Sequence, residues 1–118
     1  MSSTPDTQAI EHFLHGQVDA WNAHDKDTFF ALYKEFSPEG LSIEYVGRPA
    51  GDPWQTLEAM WTNQNAKIRI DVKATIINGH EVACHHVNQV IGSEHGIHTI
   101  ELYRFEGGKL FVRYFIKT

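Results

Sequence analysis

Cysteine is nearly missing: Cys84 is the single one in 118 residues. An intramolecular disulfide is thereby excluded, and the chain fits a reducing compartment. Long apolar runs are missing as well, and none approaches the roughly 20 residues of a membrane-spanning helix. Residues 1–9 (MSSTPDTQA) hold no apolar stretch of the kind a secretory leader carries. The expectation is a cytoplasmic protein that does not enter a membrane. Positive charge is scarce too. Lys and Arg number 10 against 15 Asp and Glu, the net charge is −5, and no Lys/Arg cluster exceeds two residues. That balance argues against a nucleic-acid surface. No repeat, linker or low-complexity tract interrupts the chain, so one domain spanning residues 1–118 is expected.

What is present is concentrated at the C-terminal end. Two runs rich in β-branched and aromatic residues flank Glu106-Gly107-Gly108, a hairpin signal. In the first run Ile97, Thr99, Glu101, Tyr103 and Phe105 share one face, and His98, Ile100, Leu102 and Arg104 the other. In the second, Phe111, Arg113 and Phe115 oppose Leu110, Val112, Tyr114 and Ile116. Neither face is polar throughout, so both should be covered. A carboxylate (Glu101) and a guanidinium (Arg113) among aromatics suggest a lined cavity.

Upstream, Thr4-Pro5-Asp6 reads as a helix start, and Ile10, Phe13, Leu14, Val18 and Trp21 form one apolar stripe. Asp25 should cap a second helix that buries Phe29, Leu32 and Tyr33. A short strand from Leu41 to Val46 and a loop from Gly47 to Gly51 follow. Asp52-Pro53-Trp54-Gln55 then combines an Asp cap, Pro at N1 and Gln at N3. Leu57, Met60 and Trp61 should be the buried face of that third helix. From Ile68 to Ile76 apolar and polar residues alternate, which predicts a half-buried strand with its apolar stripe inside, against the helices. Asn78-Gly79 turns it into another strand, from about Glu81 to Ile91. Helices segregated from long strands joined by short turns predict an α+β fold, helices on one face of a twisted, bulged sheet.

At this point the chain resembles the NTF2-like domains, in particular the SnoaL-like and ketosteroid isomerase-like branch. Trp21-Asn22-Ala23-His24-Asp25 followed by Phe29 to Tyr33 is similar to that family's helix 1 to helix 2 joint. Gly51 with Leu57-Glu58-Ala59-Met60 is similar to its third-helix entry, and Tyr103 to Leu110 to its final hairpin. The resemblance implies a cystatin-like cone with a pocket between helices and sheet, and frequent dimerisation through the outer sheet face. It implies no single activity. It also implies that Glu101 stands where ketosteroid isomerases place a carboxylic acid donating to the substrate oxygen. Gln17 replaces the helix-1 tyrosine of those enzymes, and Tyr45 their aspartate base.

If Glu101 points inward, a neighbouring register turns Val82, Cys84, His86, Asn88 and Val90 inward too, with His85 and Gln89 outward. His86 with Glu101 is the preferred catalytic dyad, an imidazole beside a carboxylate being a workable general base. Gln17, Tyr45, Trp61, Asn88, Tyr103 and Arg113 are the candidate binding groups. A purely structural cluster, with Arg113 neutralising Glu101, stays open beside this. Glu11, His15 and Asp19 share a helical face at ligand spacing, but a solvated polar face is the simpler account, and no metal or cofactor is expected. The expected partner is a small apolar carbonyl or hydroxyl compound, handled by an isomerase, cyclase or dehydratase, or merely bound; a dimerisation module of the same fold is the remaining alternative. A homodimer is also expected, because His98, Ile100, Leu102, Val112, Tyr114 and Ile116 would otherwise leave an apolar patch in water.

Overall fold

An aspartate opens each helix by accepting from the backbone amide three residues on, so three of the orphan donors are satisfied in the same way. Asp6 accepts from Ala9 at 2.8 Å, Asp25 from Thr28 at 3.2 Å and Asp52 from Gln55 at 2.9 Å. The computed structural model describes residues 4–118. Helix α1 is Thr7–Asn22, α2 is Lys26–Phe36 and α3 is Pro53–Gln64. Asp6 itself caps α1, so Thr4 and Pro5 lie ahead of the helix rather than at its cap and first position.

The strands are β1 (Gly40–Tyr45), β2 (Ile68–Asn78), β3 (Glu81–Val90), β4 (Gly96–Glu106) and β5 (Lys109–Ile116). They form one sheet in the order β1-β5-β4-β3-β2. The hairpin-linked neighbours are antiparallel, and β1 runs parallel to β5. The fold is the expected α+β cone, with helices on the concave face of a curved sheet. Ile10, Phe13, Leu14, Phe29, Leu32 and Tyr33 from the helices meet Val82, Tyr103, Phe105, Leu110 and Val112 from the sheet in one core.

The joint between α1 and α2 stitches the helices to a sheet edge. Asn22 donates to the Ile70 carbonyl at 3.0 Å and accepts from the Ile70 amide at 2.8 Å, satisfying backbone groups that edge strand β2 would leave open. The Trp21 indole donates to the Ile68 carbonyl at 2.9 Å. His24 takes a left-handed φ of 58°, and its ring bonds to Asn65.

Two face assignments change. The β4–β5 register sets Glu101 opposite Tyr114, Tyr103 opposite Val112 and Leu102 opposite Arg113. Residues directly opposite share a face. Val112 and Tyr114 therefore belong to the core, and Arg113 belongs to the outer surface. In β2, a register shift between Val72 and Ala74 inserts one extra residue. Ile68 and Ile70 face inward as expected, but beyond the bulge Ile77 faces the core and Ile76 stands outside, 68% exposed.

Candidate functional site

Between helices and sheet lies a cavity of about 330 Å³, within the range that takes a small organic ligand. Its walls are mostly apolar: Trp21, Phe29, Met60, Ile68, Ile70 and Ile97. Gln17, Tyr33, Tyr45, Asn88, Thr99 and Tyr114 add polar atoms, and Glu101 and Arg48 are its charged residues.

Glu101 is 7% exposed and is the carboxylate of this cavity. It is held from three sides. The Tyr103 hydroxyl donates to Oε1 at 2.5 Å, Thr99 donates to Oε2 at 3.3 Å, and His86 Nδ1 lies 3.0 Å from Oε2. Behind Tyr103 the network continues. Gln17 Nε2 donates to the Tyr103 hydroxyl at 3.3 Å, and the Tyr33 hydroxyl donates to Gln17 Oε1 at 3.1 Å. Glu101 is thus an acceptor from Thr99 and Tyr103. Burial opposes charge on His86, yet hydrogen bonds to Cys84 and Glu101 and the Glu101 charge outweigh it, pushing the imidazole up to about 10. Burial, reinforced by the nearby Glu101, pushes the Tyr103 phenol well up. Tyr33 and Tyr45 are raised by burial first and Glu101 second, and Tyr114 by burial first, then Tyr33 and Glu101. All four tyrosines of the chain therefore gather around one carboxylate in their protonated form.

The dyad residues touch, but in series. Glu101 lines the cavity; His86, 2% exposed, sits behind it. It is the hydrogen-bonded partner of Glu101, and the Glu101 charge and hydrogen bonds favour its imidazolium form. Gln17, Tyr45 and Asn88 line the cavity. Tyr103 lies beneath it, against Glu101. Trp61 packs behind the wall, edge-on to Trp21 and tilted against Phe29, with centroids 5.2 and 5.1 Å away. Arg113 is on the opposite face, where Nε donates to Glu44 at 2.8 Å, so it does not neutralise Glu101. Sequence reading left four lining residues out of the site: Tyr33, which it assigned to the helix core; Thr99, which it placed only on the face of Glu101; Tyr114, whose place depends on cross-strand register; and Arg48, which it left in a loop.

On the outer face a groove of about 550 Å³ runs past Ile76, Ala83, Leu102 and Phe111. Its arginines are occupied, Arg113 by Glu44 and Arg104 by Glu106. His85 faces the same side, and its Nε2 lies 2.9 Å from His98 Nδ1. Among the described residues no three His, Cys, Asp or Glu side chains gather as a metal site, and Glu11, His15 and Asp19 are exposed. No described helix is long and apolar enough to cross a membrane.

Helices packed on one face of a curved five-stranded sheet recur in solved structures. A protein of unknown function with a cystatin-like fold from Methylobium petroleophilum PM1 superposes with a TM-score of 0.75 at 17% identity, over 98% of this chain and 80% of that one. The chain has the NTF2-like fold. A protein from Jannaschia sp. CCS1, assigned to the SnoaL-like polyketide cyclases, matches with a TM-score of 0.71 at 14% identity, over 99% and 90% of the two chains. AclR of Streptomyces galilaeus, assigned as a hydroxylase, matches with a TM-score of 0.70 at 19% identity, over 91% and 87%. No family model matches the chain, and no curated protein does. Such distant likenesses carry the NTF2-like fold and leave the chemistry to the cavity itself.

Proposed function

We propose that this NTF2-like chain binds a small, largely apolar carbonyl or hydroxyl compound in the inner cavity and acts on it by cofactor-independent proton transfer. Glu101 is the proton-transfer group, and the observation that carries the reading is its position: a buried carboxylate opening onto an apolar cavity. In such a cavity a carboxylate can take a proton from carbon beside a ligand carbonyl and return it elsewhere on the ligand. His86 fixes the carboxylate and offsets its charge. Tyr45 is the candidate donor to the ligand oxygen, since burial keeps its phenol protonated and the wall presents it to the cavity. Isomerisation, cyclisation and dehydration all fit this arrangement.

A second reading has its own support. Three side chains already hold Glu101, and a carboxylate so well satisfied is a better anchor than base. On that reading the cavity binds and orients without turnover. A thermal-shift screen against lipophilic carbonyl and hydroxyl compounds, followed by turnover assays on the hits, separates the two. Glu101→Gln should lower turnover by about a hundredfold or more while the fold persists. Hits that bind and are never converted would leave the binding reading alone.

Homodimerisation belongs to the same proposal. The outer face carries Ile76, Ile100 and Phe115, exposed by 68%, 42% and 38%. A second copy packed there would remove that apolar surface from water.

A further inference from the structure

Arg48 stands at the rim of the cavity, and the proton-transfer chemistry makes no use of it. A β-turn puts it there. The Arg48 amide donates to the Tyr45 carbonyl at 3.0 Å, and Gly47 between them takes φ +90°, the left-handed value a type II turn requires at its third residue. A side chain at Gly47 would touch nothing, so the backbone conformation alone asks for glycine. The turn is tied to the sheet because the Val46 amide donates to the Tyr114 carbonyl at 3.0 Å. From it the guanidinium reaches over the Tyr45 ring, 5.9 Å from the centroid.

Four surface cations have anionic neighbours: Lys26 has Glu58, Lys73 has Asp71, Arg104 has Glu106 and Arg113 has Glu44. Among the described residues Arg48 forms no ion pair. Among the described residues it is also the one Lys or Arg that lines this cavity, which sets it apart from other cations without an ion pair. The two charged groups of the cavity are also ordered along its depth. Glu101 is buried within and Arg48 is exposed at the rim, and Tyr45 feels both. An anionic group at the inner end would meet the Glu101 carboxylate; at the outer end it would meet a guanidinium suited to oxyanions.

Building on the pocket reading above, we infer that the ligand is an amphipathic organic anion, a carboxylate or sulfonate bound head-outward. Arg48 takes the anionic head, Trp21, Phe29, Ile68 and Ile70 hold the apolar body, and the uncharged far end reaches Glu101. Arg48 is then the residue that selects among apolar compounds of similar shape.

Two dyes with one skeleton test this: 8-anilino-1-naphthalenesulfonate, which is anionic, and N-phenyl-1-naphthylamine, which is neutral. The fluorescence that disappears in Met60→Trp, which narrows the cavity, defines the cavity signal. Wild-type protein should bind the sulfonate about tenfold more tightly than the neutral dye at low salt. That advantage should shrink in high salt, as an exposed cation requires. Arg48→Gln should abolish it and leave neutral-dye binding and the melting curve unchanged, and Arg48→Lys should keep part of it. Equal affinity for both dyes in wild type, or an advantage that survives Arg48→Gln, overturns the inference and leaves the pocket reading standing. No cavity signal from either dye sinks both.

Discussion

At the scale of single residues, the consequential contact is His86 with Glu101. Removing either partner would strand the other's charge in a dry interior, which is far costlier than losing a surface pair. The raised imidazole also links stability to pH. A folded value of about 10 lies above the ordinary 6.5, so the fold holds a proton that the unfolded chain releases. The stabilisation from His86 is full below pH 6.5 and is lost as pH rises through about 10. Nuclear magnetic resonance should find the His86 ring in its imidazolium form from pH 5 to 9. A ring that titrates near 6.5 would mean that the pair does not form in solution.

Among elements, the helices begin where a short acidic side chain can reach an amide three residues on. Pro53 adds a preset φ at the first position of α3, where no amide hydrogen is missed. The cap therefore supplies what the proline cannot. Asp52→Ala should cost about 1 kcal/mol, read as a lower urea midpoint with an unchanged slope. A midpoint that did not move would mean that water satisfies the Gln55 amide as well as the carboxylate does.

For the whole molecule, the open question of surface is the outer sheet face. It mixes Ile76, Ile100 and Phe115 with the paired ions Arg113–Glu44 and Arg104–Glu106, so it is apolar in patches with a charged border. Sedimentation at micromolar concentration should give a dimer, and Ile100→Lys should shift it to monomer without loss of secondary structure. A monomeric wild type would rule out the outer face as a self-association surface under those conditions.

The order of helices and strands, the caps at Asp25 and Asp52 and the inward face of β4 were legible in the chain itself. Each rests on interactions a few residues apart: a carboxylate and an amide three positions on, or side chains alternating along one strand. Helix periodicity likewise foretold Phe29, Leu32 and Tyr33 as core. What escaped were relations between segments distant in the chain. The pairing of Glu101 with Tyr114 rather than with Arg113 is a matter of register between two strands, and a shift of one residue exchanges their faces. One extra residue in β2 moved Ile76 from core to surface, with no mark in the alternating pattern. The same holds for depth: sequence put His86 on the inward face, but only packing decided that Glu101 would open onto the cavity with His86 closed off behind it.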